Sequence, residues 1–369
     1  MKYYLIAGER SGDFHAAHLM QALQQQDAAA TFRCWGGDQM QAAGGELVHH
    51  YQEMAIMGFW EAATSLLKFR GYLKECQRDL LAWKPDVVIL VDYAGFNMRI
   101  AKFAKANGIK VFYYISPKIW AWNQGRVHQV KKVVDKMFVI LPFEEEFYQR
   151  FDYKVDYIGN PTADAVAEHV PSPDFFQRNH LDPERPIIAV LPGSRKQEIE
   201  EMLYEMTAII PPFLNYQFLV AGVDNLDPNY YAHFERNNVR IIFDQTYDLL
   251  SHAKAALVTS GTATLETALF DVPQVVCYRT SAVSYTISKA LIKVKYISLV
   301  NLVAGREVVK ELIQGDFNAR NLVIELKKVT EDEAFIAQQK KGYAEIREKL
   351  GRQRAAEKAA KLMVGYLKK

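Results

Sequence analysis

The chain has 369 residues, with 45 Lys and Arg against 43 Asp and Glu, and a formal net charge of +2. Half of its residues are hydrophobic and 24% are charged, which excludes a disordered or fibrous chain. A balance this close to neutral gives no electrostatic case for nucleic acid, because a surface that tracks phosphates needs a basic excess. At roughly 100–200 residues per domain, the length predicts about two domains.

Short β-rich runs alternate with helical patterns from end to end. Tyr3 to Ala7 reads as a first strand, followed by a helix from about Asp13 to Gln25. Phe32 to Trp35 reads as a second strand. Asp86 to Asp92 encloses Val87-Val88-Ile89-Leu90-Val91, the continuous apolar run that a parallel strand needs when both faces are covered. Val111 to Ile115 and Met137 to Leu141 repeat the pattern. Turn chemistry follows at Gly159-Asn160-Pro161 and Val170-Pro171-Ser172-Pro173. Alternation then resumes at Ile187 to Leu191, Phe218 to Ala221, Val239 to Phe243, Ala256 to Thr259 and Val275 to Tyr278. The tail from about Glu331 lacks proline and reads as helix with a solvated face. The expected fold class is α/β, with two Rossmann-like parallel-sheet domains in tandem and an interdomain cleft. The boundary is expected near 160–172, dividing the chain into 1–165, 166–345 and a helical tail, 346–369.

Ligands of open α/β sheets sit beyond the carboxyl ends of the strands, so chemistry is sought there. The first strand ends in Ala7-Gly8-Glu9-Arg10-Ser11-Gly12-Asp13. Two glycines at a strand-to-helix turn allow a close approach of backbone to ligand, and a capped tight turn explains them equally well. Val87 to Val91 delivers Asp92 to a strand end, where a carboxylate could take a proton from a sugar hydroxyl or cap the next helix. Ser116-Pro117-Lys118-Ile119-Trp120-Ala121-Trp122 places two indoles after a proline turn, to pack or to line a pocket. Leu191-Pro192-Gly193-Ser194-Arg195 is a better phosphate signal, with exposed N–H groups and an arginine fork. Thr259-Ser260-Gly261-Thr262-Ala263-Thr264-Leu265-Glu266 follows a later strand. Its small residues and hydroxyls suit a diphosphate, and Glu266 can hold ribose hydroxyls. Together these two loops favour a nucleotide-diphosphate site.

From Phe59 to Leu73, Phe59, Ala63, Leu66, Leu67 and Leu73 fall near one helical face, with Trp60, Phe69 and Tyr72 close by and Lys68, Arg70 and Lys74 interleaved. The pattern fits a core helix or one lying in a membrane interface. No uncharged apolar run approaches the ~18–20 residues that span a bilayer. Glu9 and Arg10 interrupt the first apolar run before it could serve as a signal peptide. The three cysteines, Cys34, Cys76 and Cys277, are far apart, which fits a reduced cytosolic protein rather than a disulfide framework or zinc site. The histidines form no metal pattern. His15, beside the first glycine loop, is the second candidate for a base.

Taken in order, Ala7 to Asp13, Ser116 to Trp122, Leu191 to Arg195, Ser260 to Glu266 and Asn301-Leu302-Val303-Ala304-Gly305-Arg306-Glu307 resemble the lipid-A-disaccharide synthase family, over nearly the whole chain to about Gln314. That resemblance implies a GT-B glycosyltransferase, inverting, with no required metal and no cofactor. It would join UDP-2,3-diacylglucosamine to 2,3-diacylglucosamine 1-phosphate in a β-1′,6 linkage and release UDP. Asp92 would be the catalytic base, with His15 next. Gly193, Ser194, Arg195, Ser260, Gly261, Thr262, Glu266, Asn301, Arg306 and Glu307 would hold the UDP-sugar. Gly8, Glu9, Ser11, Gly12, Asp13, Trp120 and Trp122 would border the acceptor. The family is peripheral to the cytoplasmic side of the inner membrane, which favours Phe59, Trp60, Leu66, Leu67, Phe69 and Leu73 as membrane-facing, and it can form homodimers through its C-terminal part. One position departs: where the family reads Asp-Ala-Pro-Asp-Phe-Asn, this chain has Asp92-Tyr93-Ala94-Gly95-Phe96-Asn97, so the second carboxylate is a glycine. The alternatives are a UDP-sugar 2-epimerase of the same architecture and a non-catalytic two-lobed nucleotide-sugar-binding protein.

Overall fold

A computed structural model describes residues 1–55, 62–193, 196–223, 226, 229–235, 238–281, 285, 286, 289 and 292–368, with 54, 55, 62–66 and 196–198 described by backbone alone. The chain forms two compact units, 1–161 together with 353–369, and 162–352.

The first unit is built on seven parallel strands: β1 (Lys2–Ala7), β2 (Thr31–Gly36), β3 (Gly45–His50), β4 (Val87–Val91), β5 (Lys110–Tyr114), β6 (Lys136–Val139) and β7 (Asp156–Tyr157). Their order in the sheet is β3-β2-β1-β4-β5-β6-β7. β4 consists of five apolar residues, all fully buried, so both faces of the sheet are covered. Fully burying a side chain of this kind contributes about 1.5–3 kcal/mol, so the centre of the sheet anchors the unit. Residues 353–369, set apart as a tail on composition, belong to this unit by packing. Ala355, Ala359, Ala360, Met363 and Val364 of helix Ala355–Leu367 share a core with Ala16, Ala17, Leu19 and Met20 of helix Arg10–Gln26.

The second unit carries β8 (Ile187–Leu191), β9 (Gln217–Gly222), β10 (Val239–Phe243), β11 (Ala253–Thr259), β12 (Gln274–Tyr278) and β13 (Lys310–Ile313). The order is β10-β9-β8-β11-β12-β13, again parallel throughout. Each sheet therefore runs outward in both directions from one adjacent pair, β1 and β4 in the first and β8 and β11 in the second. Such a reversal leaves a crevice at the carboxyl ends of that pair, where doubly wound sheets bind ligands.

Candidate active site

In the first unit the register pairs Ala7 with Val91, so the Gly8 loop and Asp92 leave the sheet side by side at its switch point. A Cβ on Gly8 would lie 2.2 Å from the Tyr93 ring, which makes glycine the condition for that ring to pack there. Asp92 and Tyr93 both adopt left-handed backbone, each at φ 44°. Strain of this kind costs about 1–3 kcal/mol per residue and persists where surrounding contacts over-determine it. Here buried Asn97 provides them. Its Nδ2 donates to the carbonyls of Asp92 (2.9 Å) and Val91 (3.2 Å), with that of Ile6 at 3.4 Å. The Tyr113 hydroxyl donates to the same Asp92 carbonyl at 2.5 Å. Burial pushes the Asp92 carboxyl above the ordinary carboxylate range, against the pull of Lys118 and the Tyr93 N–H.

His15 is pushed down to about 4, by burial first and His18 second, so its imidazole is neutral at pH 7. Asp13 is committed to structure. Its oxygens accept from the N–H groups of Gly37 (2.7 Å), Gln39 (3.1 Å) and Met40 (3.1 Å), tying down the start of helix Asp38–Ala42. Gly12 is buried, whereas Glu9 and Ser11 are exposed.

Ser116 to Trp122 follows β5 and turns on a residue that sequence reasoning missed. Glu144 is buried in helix Pro142–Gln149. Its Oε1 accepts from the Ser116 hydroxyl and from Trp120 Nε1 (3.2 Å), and its Oε2 from the N–H groups of Ile140 (3.1 Å) and Leu141 (2.9 Å). Burial raises the Glu144 carboxyl, and these four donors pull it back in part. Trp120 is thus spent on packing and on Glu144. Trp122 is exposed, with the Arg126 guanidinium 4.9 Å from its ring centre.

In the second unit Leu191 pairs with Val258, which brings the loop after β8 beside the loop after β11 at the second switch point. Gly193 sits at φ 106°. Ser194 and Arg195 lie outside the described residues. Gly261 has φ 156° with ψ −160°, a conformation open essentially to glycine alone. Among the described residues, no atom outside its immediate chain neighbours lies within 4 Å of the place a Cβ would occupy, ahead of helix Thr262–Leu269. Exposed Thr262 opens that helix, while the Ser260 hydroxyl donates to the Ile297 carbonyl at 2.8 Å. Glu266 accepts from the Tyr247 hydroxyl at 3.1 Å, and burial raises its carboxyl.

The Asn301 side chain is used up internally. Its Nδ2 donates to the Val309 carbonyl and Glu311 Oε1, both at 2.9 Å. Its Oδ1 accepts from the N–H groups of Val308 (2.7 Å) and Val309 (3.0 Å). Asn301 therefore shapes the segment carrying Arg306 and Glu307. These two are exposed, with Arg306 paired to Glu345 at 2.6 Å and Glu307 3.7 Å from Lys310.

Of the apolar stretch, Phe59 and Trp60 lie outside the described residues, as does the Leu66 side chain. Leu67 is 67% exposed on helix Ala62–Trp83. Phe69 packs edge-on against Phe96 at 5.8 Å and under Arg99 at 5.1 Å, and Leu73 is half-buried. One helix thus divides between an outward Leu67 and inward-packed neighbours. Among the described residues, no helix is long and apolar enough to cross a membrane.

Residues 3–364 match the lipid-A-disaccharide synthetase family. The lipid-A-disaccharide synthase of Syntrophus aciditrophicus is 38% identical, with 99% of this chain and 97% of that protein covered. That of Myxococcus xanthus is also 38% identical, covering 98% and 97%. Among solved structures, the UDP-GlcNAc 2-epimerase of Neisseria meningitidis bound to UDP-GlcNAc gives a TM-score of 0.69 at 15% identity, covering 100% of this chain and 99% of that one. The glycotransferase of kitacinnamycin gives 0.66 at 12% identity, covering 99% of each. At such identities these likenesses show the fold, and two Rossmann-like parallel-sheet units shared with them are the GT-B fold. The epimerase likeness goes no further than that, whereas the match to the synthases runs at the level of sequence along the whole chain: this protein belongs to the lipid-A-disaccharide synthase family and is a hexosyltransferase.

Proposed function

We propose that this chain transfers the diacylglucosaminyl group of UDP-2,3-diacylglucosamine to the 6-hydroxyl of 2,3-diacylglucosamine 1-phosphate, with inversion. The bond from acceptor oxygen to anomeric carbon forms as the bond from that carbon to the UDP oxygen breaks. The hydroxyl proton passes to Asp92, and UDP leaves with the bonding electron pair. The observation that carries this reading is Asp92 itself, held in a strained left-handed turn at the switch point of its sheet, in a chain matched to the family over residues 3–364. Left-handed residues also follow β5, β10 and β13, at Ile115, Asp244 and Gln314, so the strain supports the reading only together with the switch point and the family match. The carboxyl raised by burial is a better base than an ordinary one near 4. His15, at about 4, offers no gain over a carboxylate and stands second.

Leaving-group charge falls to the second unit. The backbone around Gly261 and the start of helix Thr262–Leu269 would face the diphosphate with N–H groups, Glu266 would accept from the ribose, and Arg195 would supply a fork to the phosphates. Gly193, Ser194, Ser260 and Thr262 would complete the cradle. Arg306 and Glu307 would meet the donor sugar on the segment that Asn301 shapes.

Acyl chains tie both substrates to lipid, because each buried CH₂ contributes about 0.8 kcal/mol. The exposed Leu67 face of helix Ala62–Trp83 would rest on the inner-membrane surface. UDP release should require both substrates. On substrate-bearing vesicles Leu67→Ser should slow it, and in detergent micelles it should not. Consumption of the UDP-sugar without acceptor would replace transfer by epimerisation. Equal rates on vesicles would remove Leu67 from the membrane face, and a single chain per particle by light scattering would remove the homodimer.

A further inference from the structure

Glu266 is a carboxylate held by one oxygen. The Tyr247 hydroxyl donates to Oε1, and among the described residues no other group hydrogen-bonds this side chain. Among the described residues, Oε2 has no hydrogen-bond partner. Tyr247 lies on helix Thr246–His252 and is itself clamped. Its ring meets His169 edge-on at 5.5 Å and Phe270 at 5.2 Å, and those two rings also meet each other at 5.8 Å, so the three pack as one cluster. His169 in turn lies 3.2 Å from Asp248, whose other oxygen is 3.5 Å from Arg178. Among the described residues, the titratable and charged groups nearest the pair are His169 against the Tyr247 ring and Asp248 beside it in sequence, with Arg178 reached through Asp248, and none is bonded to Glu266. Burial and the neighbouring carboxylate push the Tyr247 phenol well above its ordinary value, so it remains a donor at every working pH.

We propose that Tyr247 is a positioning residue for the nucleotide site: its hydroxyl fixes Glu266 as an oriented carboxylate, with Oε2 presented to the ribose hydroxyls. The inference rests on the reading of Glu266 as the ribose ligand. A half-buried carboxyl without that donor is more easily protonated, and a protonated acid loses acceptor capacity. Burial already raises Glu266, and the Tyr247 hydroxyl opposes that rise. Removing the hydroxyl must move the protonation of Glu266 to higher pH.

The test is UDP affinity by calorimetry for the full chain, Tyr247→Phe and Glu266→Gln across a pH series. The ratio of variant to parent Kd cancels the titration of UDP itself. Phenylalanine keeps the ring contacts with His169 and Phe270. Tyr247→Phe is expected to bind about fivefold or more weakly at the acidic end of the series, with the deficit shrinking as pH rises, because the carboxyl of the variant ionises at higher pH than that of the parent. Glu266→Gln is expected to bind weakly at every pH. A Tyr247→Phe loss that is equal at all pH values would mark a packing role and overturn the proposal. So would a curve matching the parent while Glu266→Gln is weakened, and the ribose reading would then survive. Parent-like affinity in Glu266→Gln would overturn the ribose reading and the proposal together.

Discussion

At Asp92 opposing effects set the protonation of one carboxyl, with the Tyr93 N–H also favouring the ionised form. Burial raises it, and the ammonium of Lys118 lowers it. A general base works only when ionised, so activity must appear as pH rises through this raised value. Lys118 is exposed, so its charge can be removed with little disturbance of packing. Lys118→Ala should move the acidic limb of kcat/KM to higher pH, because the charge that favours the ionised form is gone. Asp92→Asn should remove that limb and lower kcat by about 10²–10⁴-fold, leaving UDP affinity intact. An acidic limb unmoved by Lys118→Ala, with Asp92→Asn still active, would place the base elsewhere. Gly95 stands where the resemblance leads one to expect a second acid; it is exposed, and among the described residues nothing lies within 4 Å of a Cβ there. Among the described residues, burial, Lys118 and the Tyr93 N–H tune Asp92.

Among elements, the central strands were legible because both of their faces are buried. β4 and β8 are unbroken apolar runs, and Ile187 to Leu191 agrees end for end with the observed strand. Three strands were missed, β3, β7 and β13, and each is the outermost or a two-residue piece. β3 reads Gly-Glu-Leu-Val-His-His and β13 Lys-Glu-Leu-Ile, so neither shows the run of a doubly covered strand. The loops that bear chemistry were legible because glycine and strand ends announce them. Glu144 and Tyr247 were not, because the Ser116 and Trp120 partners of Glu144 lie 28 and 24 residues away and Glu266 lies 19 from Tyr247, and periodicity does not report such pairs. For Glu144 the arrangement is decisive: all four bonded groups are donors. In Glu144→Gln the amide oxygen can replace Oε2 for the two backbone N–H groups, which turns the amide NH₂ toward Trp120 Nε1, donor against donor. A buried donor left unpaired costs about 1–3 kcal/mol. The variant should lose about that much in denaturant unfolding. Unchanged stability would mean that the Ser116–Trp120 turn is held without Glu144.

For the whole molecule, the two sheets share one strand order over their first six strands, and their parallel run follows from the alternation of strands and helices. The return of the chain to its first unit does not, because an amphipathic helix announces a buried face without naming what it packs against. Helix Ala355–Leu367 offers small residues, Ala355, Ala359 and Ala360, to a core that also holds Ala16 and Ala17, so the two backbones can lie close. Tyr366 extends the attachment, its hydroxyl donating to Asp156 at 3.0 Å and its ring lying 3.9 Å from Lys136 Nζ. Met363, fully buried there, is the largest of these core side chains, and its truncation to alanine should cost about 2–5 kcal/mol. The sequence supplies a reporter for where that loss falls. All five tryptophans, at 35, 60, 83, 120 and 122, belong to the first unit. Tryptophan emission therefore follows the first unit alone, whereas far-ultraviolet dichroism follows both. In Met363→Ala the emission midpoint should fall to lower denaturant and separate from the dichroism curve, since the second unit keeps its own core of Ile188, Val190, Met202, Leu257 and Leu326. Emission and dichroism shifting together would show that the units unfold as one. An unmoved emission curve would show that the first unit stands without its last helix.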